Sequence, residues 1–136
     1  MIEKVVRLVN QQNEMLQKLL ELLKKQNKFM INKDLYGLED ILDEIEKCSK
    51  DIAEVELQRR QILEKKNFDE FVRNNKDEEL EKAYNNIKLT INLVKTQKES
   101  NELLLRQKLS FNTKMLEIMN PRREIRTYNS YGGLKK

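Results

Sequence analysis

Cys48 is the one thiol in a chain of 136 residues that contains no histidine and no tryptophan. That inventory limits the chemistry before any fold is considered. Without histidine, the usual proton shuttle at neutral pH and the commonest metal ligand are both missing. A lone cysteine forms no internal disulfide and no paired-thiol zinc site. The chain has no GxGxxG turn and no GxxxxGK[ST] loop to cradle a phosphate. Its carboxylates are spread along what read as helical outer faces. The residues point to a binding protein without enzymatic activity, cofactor or metal.

Contact chemistry is richer. Arg59 falls on an otherwise apolar helical seam, where it must snorkel or pair with a carboxylate such as Glu56. Met115 and Met119, two of five methionines, lie on an apolar stretch near the end of the helical pattern. Tyr128 and Tyr131 stand in a tail that also carries Arg122, Arg123, Arg126, Lys135 and Lys136 against Glu124 alone. That tail accounts for the whole net charge of +4, so residues 1–120 are neutral. A nucleic-acid binder carries its basic face on the folded part, so nucleic acid is not the expected partner.

The elements that position these residues are helices. Ala, Glu, Lys, Leu and Arg make up about half the chain, with 3 glycines and 1 proline. This is the composition of long helices, and it starves a β-sandwich of turns. The longest apolar runs, Phe29–Ile31 and Leu103–Leu105, are far too short for a membrane span. The N-terminus has no apolar stretch of signal-peptide length, which predicts a cytoplasmic protein.

Periodicity gives the architecture. Ile2, Val5, Val9, Gln12, Leu16, Leu19, Leu23, Gln26 and Met30 alternate spacings of three and four, a heptad seam. Leu8, Met15, Leu22 and Phe29 flank it, so the stripe is wide enough to meet two other helices. A second seam runs Leu38, Ile41, Ile45, Cys48, Ile52, Val55, Arg59 and Ile62, capped by Asn32 or Asp34. Cys48 on that seam reads as a small buried hydrophobe. Asn67 opens a short connector in which Phe68 and Phe71 pin one end of the bundle. Asp77 caps a third long helix with a seam at Leu80, Tyr84, Ile87, Ile91, Val94, Lys98, Asn101 and Leu105. Residues 95–102 hold no apolar side chain, which predicts either a gap where the helix leaves the bundle or a solvated segment. Pro121 ends the pattern.

The predicted fold is all-α: an elongated antiparallel bundle of three long helices over 2–32, 34–66 and 77–119. A connector spans about 68–74, and a basic, flexible tail covers 121–136. The third helix overhangs the others by about 15 Å at 1.5 Å per residue, and the overhang is apolar. Methionine repacks readily against varied partners, so an uncovered stripe there would suit a client helix. The candidate groove is Leu104, Leu105, Leu109, Phe111, Met115, Leu116 and Met119, with ordinary core burial or homo-oligomerisation as the competing readings.

Several of these stretches, in this order, resemble the FlgN family of flagellar export chaperones. They are the Leu-rich first helix, Glu54-Val55-Glu56-Leu57-Gln58-Arg59-Arg60, the phenylalanine-bearing connector, Asn101-Glu102-Leu103-Leu104-Leu105, and Thr127-Tyr128-Asn129-Ser130-Tyr131-Gly132-Gly133. The resemblance covers nearly the whole chain. It implies a cytoplasmic, non-catalytic chaperone of flagellar type III secretion. Such a protein binds the terminal helices of the hook-associated (hook–filament junction) proteins, keeps them from assembling early and delivers them to the export gate. It also implies a gate contact in the tail at Tyr128 or Tyr131, with Gly132; which tyrosine matches the family's is open. The competing functions are a self-associating coiled-coil structural or adaptor protein, and a related export chaperone or stalk component with another client.

Overall fold

The computed structural model describes residues 1–64 and 66–107. They form three long helices and one short one: α1 (Ile2–Ile31), α2 (Leu35–Leu63), α3 (Phe68–Asn75) and α4 (Glu78–Gln107). No described helix is long and apolar enough to cross a membrane. The stretch 108–119, expected to extend the last helix, and the tail 121–136 lie outside the described residues.

Local chemistry sets each boundary. Asp34 caps α2, its carboxylate accepting from Gly37 N at 3.0 Å. Asn67 caps α3 through Glu70 N at 3.2 Å, and Asp77 caps α4 through Leu80 N at 3.0 Å. Each side chain satisfies a backbone donor that the first helical turn leaves open. Between α1 and α2 the chain reverses in a Schellman motif. Asp34 N donates to Phe29 O at 2.9 Å and Lys33 N donates to Met30 O at 3.2 Å, with Lys33 at φ 56°. Gly37 sits where a Cβ would lie 2.7 Å from the Phe29 ring, so the close approach of the two helices here depends on glycine.

The helices run up, down and up. Met30 with Leu38, Leu22 with Ile41, and Cys48 with Met15 place α2 antiparallel to α1. Val5 and Val9 with Leu80, Ala83 and Ile87 place α4 parallel to α1. The wide stripe of α1 serves both neighbours, as its breadth predicts. The backbones of α2 and α4 each follow α1 closely and scarcely approach one another. α1 is therefore the spine.

The core is uneven along that spine. Its largest cluster joins Val5, Val9, Leu16, Leu63, Phe71, Val72, Leu80, Ala83 and Ile87 at the end where α3 closes the bundle. The opposite end has only Met30, Leu38 and Leu105, with Phe29, Leu35 and Leu104 packed on them. Burying an aliphatic side chain of this size contributes about 1.5–3 kcal/mol, so the α3 end holds most of the apolar stabilisation.

The seam of α4 departs from the predicted one. Ala83 and Thr90 are buried, while Ile91 is 45% exposed and Lys98 is exposed. Leu80, Ile87, Asn101 and Leu105 are buried as predicted, and Tyr84 and Val94 pack partly on the core. The seam is displaced by one residue only at the 83/84 and 90/91 pairs, where the larger side chain is predicted inward, and Lys98 faces solvent. A small Ala83 lets α4 lie close to α1, and Thr90 satisfies its hydroxyl on Asn86 O at 3.1 Å.

The cap of α4 offers a direct check. Asp77→Ala should cost about 1 kcal/mol in urea-induced unfolding, because it strips the acceptor from Leu80 N. An unchanged midpoint would show that the cap bond contributes nothing net.

Candidate functional site: the distal end of α4

Residues 95–102 neither leave the bundle nor lie wholly in solvent. Asn101 is 2% exposed and faces α1. Its Nδ2 donates to Leu23 O at 2.9 Å and to Gln26 Oε1 at 3.0 Å. Its Oδ1 accepts from Asn27 Nδ2 at 2.9 Å and from Gln97 Nε2 at 3.0 Å. The amide thus uses both donors and both lone pairs. Gln26, a polar intrusion in the α1 seam, is explained by this contact. Gln12, the other polar seam residue, is buried with its Oε1 unpaired, and nothing in the structure accounts for it. An all-polar stretch stays docked because its one inward position carries a side chain with no unmet valence. Charge periodicity gave no signal of this; an asparagine on an a/d position facing a glutamine did.

One turn later the helix becomes apolar again. Of the sequence-predicted groove residues, Leu105 is 6% exposed and packs with Met30 and Leu38, so it is core in this chain. Leu104 is half-buried on the rim of that cluster. Leu103 was not singled out, and it is 52% exposed. Leu109, Phe111, Met115, Leu116 and Met119 lie outside the described residues, as do Tyr128, Tyr131 and Gly132. At this end of the described chain the structure has a buried Leu105, a half-open Leu104 and an open Leu103, one turn beyond the Asn101 contact with α1.

The other end of the bundle is closed by a stack of rings and cations. The Arg59 guanidinium of α2 lies over the Phe68 ring at 4.5 Å. Phe68 meets Tyr84 of α4 edge to face, with centroids 5.1 Å apart and planes at 83°. Lys88 lies over Tyr84 at 5.0 Å. The Tyr84 hydroxyl donates to the Asp69 carboxylate. α3 therefore ties α2 to α4 where their backbones do not meet. Arg59 pairs with Glu56 as predicted, though only at 3.7 Å. The stack on Phe68 was not anticipated.

Cys48 is buried, and its Sγ donates to Met15 O at 3.4 Å. Burial pushes its thiol pKa up, partly offset by Lys18, which disfavours the reactive thiolate. Among the described residues no group of His, Cys, Asp and Glu could hold a metal ion.

Comparison with known proteins gives one finding. The model of the FlgN family, described as FlgN protein, matches residues 1–136. No curated protein and no solved structure matches the chain.

Asn101→Ala should destabilise the chain by about 2–3 kcal/mol, since it removes the partners of the Gln26 and Asn27 side-chain amides and the second bond to Leu23 O. Leu105→Ala should cost about 2–4 kcal/mol as a core deletion. Thermal melts of both variants check this, and a pair of unchanged melting temperatures would remove the distal half of α4 from the cooperative fold.

Proposed function

The chain belongs to the FlgN family, and from that premise we propose that it is a cytoplasmic export chaperone for flagellar hook-associated (hook–filament junction) proteins. It binds their terminal helices, prevents premature assembly and delivers them to the flagellar type III export gate. It has no catalytic activity of its own. The observation that carries this reading is the extent of the family match, which runs from the first residue to the last. A chain without histidine and with a single buried cysteine is consistent with it.

The mechanism follows from helix packing. A junction subunit awaiting export presents amphipathic terminal segments that have not yet found their partners. An apolar stripe on one side of a helix accepts such a segment as an added helix. The groove in this reading continues from Leu104 through Leu109, Phe111, Met115, Leu116 and Met119. Leu105 supports it from beneath, anchored on Met30 and Leu38. Ordering the client on binding consumes several kcal/mol of the gross interaction. That keeps the complex tight enough to protect the subunit and loose enough to release it.

The tail takes a second role. Residues 121–136 carry the chain's net positive charge and the aromatic Tyr128 and Tyr131 beside Gly132. Tyrosine supplies rigid amphipathic contact area and arginine supplies steering. In this reading the tail meets the export gate once the client is loaded.

Two experiments test the reading. The full chain should co-purify with the C-terminal segment of a hook–filament junction protein, and Met115→Glu with Met119→Glu should abolish this while keeping the helical circular dichroism signal. An unpaired charge in an apolar interface costs several kcal/mol. Undiminished capture by the double variant would place the client elsewhere. Truncation after Asn120 should leave the melting temperature and client capture unchanged while secretion of the junction protein falls. Loss of capture on truncation would put the tail in the groove and end the separation of roles.

A further inference from the structure

The corner between α2 and α3 contains a cleft of about 380 Å3 lined by Arg59, Arg60, Leu63, Glu64, Lys66 and Phe68. Its charges are unbalanced. Glu56 is shared between two guanidiniums, at 3.7 Å from Arg59 and 3.2 Å from Arg60. Counting Glu64 as well, three cations stand against two carboxylates among the described residues of this corner. The Arg59 side chain is only 13% exposed, and its Nε has no hydrogen-bond partner. A guanidinium offers five N–H donors in a fixed fork; here Nε is buried without a partner, and the terminal nitrogens have one polar protein contact, to Glu56, and otherwise open onto the cleft. Burial lowers the Arg59 pKa, opposed by Glu56 and reinforced by Arg60. A buried N–H without an acceptor carries a desolvation cost, and the exposed edge of the fork is where an acceptor can reach this cation.

The rest of the cleft shows what kind of acceptor fits. The Phe68 ring beneath Arg59 holds the guanidinium plane in place, so little rotamer freedom remains to be lost on binding. Leu63 and Phe68 make one wall apolar. The surplus of one positive charge matches a carboxylate better than a dianionic phosphate. It is too small for a polyanion. The chain's own tail is cationic and does not complement it.

We infer that this cleft binds a carboxylate side chain of a partner polypeptide, flanked by an apolar residue, with Arg59 as the bidentate receptor and Arg60 and Lys66 as outer cations. The carboxylate lies against the guanidinium fork, and the neighbouring apolar side chain covers Phe68 and Leu63. The site is at the opposite end of the bundle from Leu104 and Leu105. This inference does not rest on the export reading.

The test is an NMR titration of the labelled full-length chain, following the Nε–H resonances of Arg59 and Arg60 and the Phe68 ring. Three probes are used: an acetylated, amidated Leu-Asp-Leu-Glu peptide, its Leu-Asn-Leu-Gln counterpart, and inorganic phosphate. The acidic peptide should shift Arg59 and Phe68 saturably, and the amide peptide should not. Arg59→Lys, which keeps the charge and removes the fork, should bind the acidic peptide about tenfold more weakly. Should that chain lose helicity, Arg60→Gln decides instead, because Arg60 is 69% exposed; it should weaken binding about threefold. Equal binding of the amide peptide, tighter binding of phosphate, or an unmoved Arg59 resonance would each overturn the assignment.

Discussion

The bundle depends on how a two-turn stretch without a single apolar side chain stays beside α1. Residues 95–102 gain nothing from hydrophobic burial, and a helix that is polar all round is held by its neighbours only through specific bonds. Asn101 supplies them, two to each of its amide atoms, reaching Leu23, Gln26, Asn27 and Gln97. A buried polar group is favourable only when all of its valences are met, and it then fixes register as apolar contact cannot. The register it sets brings Leu105 onto Met30, and so determines where the apolar pattern beyond it begins.

This leaves α4 fastened unequally at its two ends. Near α3 it shares a large apolar cluster with α1 and is tied to α2 through the Arg59–Phe68–Tyr84–Lys88 stack. At the distal end it rests on the asparagine node and a small cluster around Met30, Leu38 and Leu105. Local opening is cheapest where apolar contacts are fewest. Under the proposed client site such a gradient would be useful, with the fold kept at one end and the client met at the other. The same arrangement leaves the cation-rich corner of α2 and α3 on the rigid end, where a positioned fork is most effective.

Much of this was legible in the sequence. The α1 seam and its breadth gave a helix with two partners. Asn67 and Asp77 marked two helix starts, and of the pair Asn32 or Asp34 offered for α2 it is Asp34 that caps it, because a short polar side chain before an apolar run has a local backbone bond to make. Cys48 read correctly as buried. The α4 seam read correctly at Leu80, Ile87, Asn101 and Leu105 but not between them, because Ala83 and Thr90 were passed over for the larger Tyr84 and Ile91. Close helix packing selected the small residue, and a back-bonded hydroxyl selected the threonine. The asparagine network was legible only in part: Asn101 and Gln26 both fell on seam positions, but three of the four bonds reach a helix more than seventy residues earlier, and hydropathy does not record which polar seam residues meet. Leu105 was weighed as groove and as core, and only its contact with Met30 separates the two. The stack on Phe68 required knowing that α3 turns back across the end of α2.

Hydrogen exchange, followed by mass spectrometry on the full chain with and without the C-terminal segment of a hook–filament junction protein, tests the central claim most directly. New protection should be confined to the chain from Leu103 onward and to the facing end of α1 around Met30. Residues around Val5, Val9, Phe71 and Leu80 should exchange as slowly before as after. Protection appearing first at the α3 end, or spread evenly over all four helices, would contradict a client site at the distal end of α4.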